Sequence, residues 1–353
     1  MDLTGILDRF GDARVLIVGG LVIGGLFGFF AQRSRFCLRA AVIEFWRGQF
    51  GEKLSVWLLA FSTAVVAVQL LVLLHLLDPS ATRQIAARGS LSGALVGGLL
   101  FGAGMIMTRG CASRLLVLSA NGNLRALLSG LIFAVAAQAA LAGMLSPLRE
   151  TISAWWTVEG GVSRDLLALT HAGRWGGLVV GLVWMAAAWV FALRSGAGKW
   201  QWVGGMGSGL AVAAAWAFIA GVSAHSFEPV ALQGITFSGP SAEWLMRVLA
   251  DPTPLAGFSS GLLPGVFLGS LIGGWIGGDL RLEGFTDGYG MRRYIAGAVL
   301  MGFGAMLAGG CAVGAGITGG SIFALTAWLA LIGMWAGAGV TDRLMDQRVQ
   351  LAP

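Results

Sequence analysis

The sequence predicts an all-α integral membrane protein built around an inverted internal repeat. Three observations carry this: apolar runs long enough to span a bilayer, basic residues gathered at alternate span ends, and a glycine-cysteine segment that recurs 200 positions later. Of the 353 residues, 56% are hydrophobic and 11% charged, and mean hydropathy is +0.80. A soluble domain carries about a quarter charged residues, whereas a spanning helix needs roughly 20 apolar residues.

Nine apolar segments are expected to span: 14–30, 54–77, 92–107, 124–145, 176–193, 200–221, 258–277, 294–308 and 321–341. The first follows a leader with three aspartates and precedes no small-x-small cleavage site, so it reads as a retained span rather than a signal peptide. Pieces around 37–47, 111–120, 241–250 and 311–320 are too short to cross and read as re-entrant or interfacial helices. The whole chain, 1–353, reads as one transporter domain: a first pseudo-repeat at about 14–145, a linking span at 176–193 and a second pseudo-repeat at about 200–341.

The formal charge of +6 is assigned to membrane orientation rather than to nucleic-acid binding. One set of loops holds Arg33, Arg35, Arg39, Arg47, Lys53, Arg109, Arg114, Arg194, Lys199, Arg281, Arg292 and Arg293, with Arg343 and Arg348 in the tail. The other set balances Arg149, Arg164 and Arg174 with Glu150, Glu159, Asp165, Glu228, Glu243 and Asp251. The positive-inside bias then places the N-terminus outside and the C-terminus inside.

LVGGLLFGAGMIMTRGCA (95–112) aligns without a gap on IAGAVLMGFGAMLAGGCA (295–312). Gly97, Leu100, Gly102, Gly104, Gly110, Cys111 and Ala112 each meet the same residue 200 positions on. The copies belong to the third and eighth crossings, and an odd separation turns one upside down. Inverted repeats of this kind put a transport path at their interface near the bilayer midplane. A looser echo sets Phe36-Cys37 against Phe237-Ser238, each beside a short helix.

Non-helical backbone at membrane depth must be buried in protein or line a wet cavity. A half-helix starting after Cys111 or Cys311 presents free N–H groups and the positive end of its dipole, which suits an anion. A thiol there ionises more easily than a free one. Gly110 and Gly310 are expected at turns with no room for a side chain, and Arg109 and Arg114 are expected to add charge on the inner face, with no equivalent arginine in the second copy. Cys37, Cys111, Cys311, Gly110, Gly310, Arg109 and Ser238 are therefore the candidate substrate-binding residues. Gly24, Gly28, Gly97, Gly273 and Gly277 read instead as close-packing positions, and Glu44 as a structural partner of Arg47. Trp155, Trp156, Trp175, Trp200 and Trp202 fit an aromatic belt. His75 and His171 read as interfacial, and His225 as a weak path residue. Three cysteines with no close pair in sequence, and three scattered histidines, make neither a disulfide framework nor a zinc site. No cofactor is expected.

The segments LAGGCAVGAGITG (307–319), TRGCASRLLVLSANG (108–122) and RSRFCLRAA (33–41) resemble the YeeE/YedE family of bacterial inner-membrane sulfur transporters over nearly the whole chain. The resemblance implies an hourglass-shaped path for thiosulfate, with Cys37, Cys111 and Cys311 relaying the ion by hydrogen bonds, and a cytoplasmic TusA-like sulfur carrier as partner. The chain departs from the family pattern at Ala315, where histidine is frequent, and at Thr108, Arg109 and Arg114. A selenium or other sulfur compound is the alternative substrate. A membrane thiol oxidoreductase needs a close thiol pair such as C-x-x-C, and the sequence spacing offers none. A structural subunit that carries nothing gives no reason for the repeated cysteine turns.

Overall fold

Thirteen of the elements that the segments predict are recognisable in the computed structural model, which describes residues 4–226, 229–249, 257–284 and 288–347. Glu228, Asp251 and Arg348 lie outside the described residues. The helices are α1 (Thr4–Phe10), α2 (Asp12–Ser34), α3 (Leu38–Trp46), α4 (Glu52–Leu73), α5 (Arg83–Ala86), α6 (Leu91–Met107), α7 (Ala112–Ala120) and α8 (Leu124–Ala142). They continue with α9 (Ser146–Ala154), α10 (Leu166–Leu169), α11 (Gly173–Arg194), α12 (Lys199–His225), α13 (Ser238–Leu249), α14 (Phe258–Gly277), α15 (Gly288–Leu307) and α16 (Leu325–Asp342). Between α15 and α16 a wide, π-type helix covers Ala312–Gly319. A two-residue antiparallel pair joins Gly89–Ser90 to Thr157–Val158. The protein is an all-α integral membrane protein.

Eight helical stretches among the described residues are long and apolar enough to cross a membrane. The ninth expected span, 321–341, is α16. It starts four residues late, because Phe323 turns the chain with a left-handed φ of 56°, and it ends on the carboxylate of Asp342. The crossings start from local signals. Ser90 caps α6 by accepting from the Gly93 N–H at 2.7 Å, and Asn123 caps α8 by accepting from Ala126 at 2.8 Å. Glu44 accepts from the Leu54 N–H at 2.9 Å in the first turn of α4. It does not pair with Arg47, which instead binds Asp342 through two hydrogen bonds of 2.9 and 2.8 Å.

Without a hydrophobic drive between helices in lipid, small residues that let backbones approach are what hold a bundle. Gly20, Gly24 and Gly28 of α2 lie against the backbone of α14; a Cβ on Gly24 would stand 2.5 Å from the Leu262 carbonyl oxygen. Gly98 and Gly102 of α6 meet α16 in the same way. Gly97 rests on the α15 backbone, as expected. Gly273 lies on the α2 backbone as expected, a Cβ there standing 3.2 Å from the Phe29 carbonyl oxygen, whereas Gly277 faces the Arg33 guanidinium rather than a helix backbone.

The packing partners come in exchanged pairs. α2 lies on α14 and α12 on α4; α6 lies on α16 and α15 on α8. α3 rests on α16 as α13 rests on α8, while α6 packs on α15 and α2 on α12. Two faces can be named from the helix ends. Face A collects the C-terminal ends of α2, α6, α14 and α16, and face B collects those of α4, α8, α12 and α15. On face A the strand-like stretch after α14 is pinned over the α7–α8 turn, Arg281 donating to Asn121 O at 3.2 Å and Glu283 to Gly122 O at 3.0 Å. On face B, Leu166 donates to Phe323 O at 3.0 Å, pinning the 143–172 connection over the turn before α16.

Candidate functional site

All three cysteines follow one local design. A helix ends, one residue takes the left-handed conformation, the next donates its N–H to the carbonyl five residues back, and the cysteine opens a new short helix. Arg35 (φ 55°), Arg109 (φ 58°) and Gly309 (φ 78°) hold the left-handed position. Phe36 donates to Ala31 at 3.0 Å, Gly110 to Met105 at 3.1 Å and Gly310 to Ala305 at 2.9 Å. These are Schellman-type helix ends. Cys37, Cys111 and Cys311 then occupy the N-cap positions of α3, α7 and the 312–319 helix.

The cysteines are buried, with exposures of 8%, 0% and 0%, and all are free thiols. The thiols of Cys37 and Cys111 are neighbours, and the Cys111 sulfur lies 3.4 Å from Ser113 Oγ. The absence of a close thiol pair, argued from sequence, is thus corrected. The 73 intervening residues return because α2 and α7 pack on each other. The 312–319 helix, which Cys311 opens, packs on α7.

Two cavities approach the turns from opposite faces. The face A cavity, about 220 Å³, is lined by Gln32, Arg35, Arg114, Asn121, Asp279 and Arg281 among others. The face B cavity, about 370 Å³, is lined by Arg83, Arg88, Arg149, Arg164, Ser238 and Gly309 among others, with Glu243 as its carboxylate. No cysteine lines either cavity; neighbours of Cys111 line the first and neighbours of Cys311 the second. Arg164 is 6% exposed. Its guanidinium donates to the Ala87 carbonyl and to Thr326 Oγ1 at 2.6 Å. Burial pulls its pKa below the ordinary arginine value.

Ser238 is buried at the first residue of α13, and its hydroxyl stands 3.5 Å from that of Thr236. It faces the face B cavity. It is reached by an extended stretch rather than by a left-handed helix end, so its likeness to Cys37 lies in its short helix and that helix's packing, not in the turn. Gly110 has a little room: a Cβ there would meet Leu115 Cδ2 at 3.2 Å and Arg114 Cβ at 3.8 Å. Gly310 has none, since a Cβ would stand 2.7 Å from the Ala315 backbone nitrogen. Arg109 is exposed. His225 is exposed too and bonds the Gly221 carbonyl of its own helix at 2.8 Å. Sequence reasoning missed the third copy of the turn, although Arg35-Phe36-Cys37 can be set beside Arg109-Gly110-Cys111 and Gly309-Gly310-Cys311.

A multi-pass bundle with broken helices and opposed polar cavities has the architecture of a membrane transporter. The chain matches the family model described as sulphur transport over residues 33–340, and it belongs to that family, the YeeE/YedE one. It is 25% identical to the thiosulfate transporter TsuA of Escherichia coli (strain K12), covering 95% of this chain and 96% of that protein. It is 26% identical to the thiosulfate transporter TsuA of Spirochaeta thermophila, covering 93% of this chain and all of that protein. Transport of a sulfur compound follows from the family.

Proposed function

We propose that the chain imports thiosulfate across the bacterial inner membrane, with face B periplasmic and face A cytoplasmic. The observation that carries this is the set of three buried cysteines, each opening a short helix after the same turn, between two arginine-lined cavities on opposite faces. The names of the two relatives support the choice of ion. In this reading, the ion enters the face B cavity past Arg164 and the Thr236 and Ser238 hydroxyls. The thiol of Cys311, then those of Cys111 and Cys37, donate hydrogen bonds to it in turn. No covalent bond forms or breaks, and the ion leaves unchanged. Backbone N–H groups at the three helix starts favour the negative charge.

The path lies between two inverted copies, about 14–145 and 200–341, with α11 as the link. The exchanged packing partners support that assignment. The waist between the cavities makes the path an hourglass, and a TusA-like carrier takes up the sulfur at face A. The test is growth of a sulfur-limited bacterial host on thiosulfate, sulfate or selenite, with this chain as its one importer. Growth on thiosulfate supports the reading, and growth on selenite alone replaces the ion. Cys111→Ala and Cys311→Ala should each lower uptake strongly, and Cys37→Ala less. A triple alanine variant with wild-type uptake removes the relay. Because Cys37 and Cys111 are neighbours, free thiols are titrated before and after turnover; loss of two points to disulfide exchange instead.

A further inference from the structure

Arg114 stands three residues after Cys111, in the first turn of α7, and lines the face A cavity. It lies within one helical turn of the Cys111 N-cap. Its guanidinium donates a long hydrogen bond, 3.3 Å, to Gln32 Oε1. The two carboxylates of the cavity are engaged elsewhere. Asp279 accepts from Gln32 Nε2 at 3.2 Å and lies 3.6 Å from Arg35, while Glu283 accepts from Asn123. Among the described residues no carboxylate is in ion-pair range of Arg114. Arg35 and Arg281, the other cations of this cavity, are exposed at its mouth.

The second copy has nothing equivalent. Position 314, 200 residues on, is glycine, and a Cβ there would collide with the Thr236 side chain. The face B side of the waist therefore offers hydroxyls where the face A side offers a guanidinium. We propose that Arg114 is the receiving residue on face A: its guanidinium takes a small divalent sulfur oxyanion from Cys111 and Cys37, in place of Gln32, and holds it in the cavity before release. A planar guanidinium presents paired N–H donors to two oxygens of such an ion, which an ammonium does not. The Asp279 and Glu283 carboxylates at the rim repel the ion and keep its stay short. The assignment rests on the reading of an anion path between the cavities.

The test uses full-length protein in inside-out vesicles, with Cys37→Ala and Cys311→Ala so that Cys111 is the target. Alkylthiosulfonate reagents of matched size, one anionic and one cationic, are applied to face A and their rates of reaction with Cys111 compared. Arg114→Gln should lower the anionic-to-cationic ratio about tenfold, the order expected from one nearby charge in a partly wet site, and Arg114→Lys should keep most of it. In the three-cysteine protein, Arg114→Gln should also lower maximal thiosulfate uptake, with little change in the KM set at face B. An unchanged ratio in Arg114→Gln overturns the proposal, and so does failure of both reagents to reach Cys111. If the ratio falls but the wild type carries no thiosulfate, the choice of ion fails and the anion-receiving role stands. If the wild type carries thiosulfate and the ratio does not move, the reverse holds.

Discussion

Arg109 and Gly309 occupy the same point of the same turn, with φ of 58° and 78°. Glycine adopts that conformation freely; another residue is strained there by about 1 kcal/mol. Gly309→Ala should therefore destabilise the protein by about 1 kcal/mol, read as a lower midpoint of unfolding in detergent. Arg109→Gly relieves the strain but frees the unfolded chain, so stability should change by less than about 1 kcal/mol. If transport survives Arg109→Gly, the backbone is what matters at 109; a large loss assigns the charge a part in the path. The neighbouring glycines separate equally clearly. Gly310→Leu forces a side chain onto the Ala315 backbone and should abolish uptake, whereas Gly110→Leu presses on the buried Leu115 side chain rather than on backbone and should lower uptake less. Equal loss in both, at equal membrane levels, would show that the two turns are equally tight during transport. These differences were not legible in the sequence, where both copies read as glycine before cysteine; the space around each is set by residues on other helices.

At the scale of elements, α16 shows what glycine spacing does in a membrane bundle. Gly333 and Gly337 lie on the α6 backbone, and a Cβ on Gly333 would stand 2.7 Å from the Leu95 carbonyl oxygen. Neither carbonyl nor helix can yield locally, so Gly333→Leu should part the two helices and cost several kcal/mol, in the upper range of overpacking. Gly130→Leu on α8, where nothing lies within 4 Å, is the control and should be neutral by the same thermal assay. The end of α16 is held by Asp342, 1% exposed, on Arg47 of the α3–α4 connection. The carboxylate raises the Arg47 pKa by hydrogen bonding. Asp342 is buried while Arg47 keeps 23% of its side chain exposed, so losing either partner should cost less than the about 3–5 kcal/mol of a fully buried pair, and Arg47→Ala, which leaves the buried carboxylate unpaired, should cost the more. The double variant should cost less than their sum. Apolar length and caps made the helices readable from sequence. The Arg47–Asp342 pair was not, because nothing in a sequence says which of several acids a basic loop will meet.

For the whole molecule, the sequence makes a statement about sidedness that the packing turns into a sharp test. The repeat was legible because its glycine-cysteine match needs no gap over 95–112 and 295–312. The meeting of Cys37 with Cys111 was not, since it depends on how α2 and α7 pack. Face A gathers Arg33, Arg35 and Arg39 with Arg47, Arg114 and Arg293, and its acids are largely consumed by them: Asp279 by Arg35, Asp342 by Arg47, and Asp346 by Arg39 and Arg293. Positive-inside bias assigns such a face to the cytoplasm. The connection around residue 160 belongs to face B, since Gly161 bonds Ile85 and Leu166 bonds Phe323, while the end of α16 belongs to face A. Between them lie α11, α12, α14, α15 and α16, an odd number of crossings. Reporters fused after residue 160 and at the tail should therefore report opposite sides, the first periplasmic and the second cytoplasmic. Both reporters on one side would mean that α16 does not cross, and the inverted relation of the two halves would go with it. Opposite sides in the reversed sense would keep the repeat and turn the transporter over, making the face A cavity the entrance and Arg114 the first residue the ion meets.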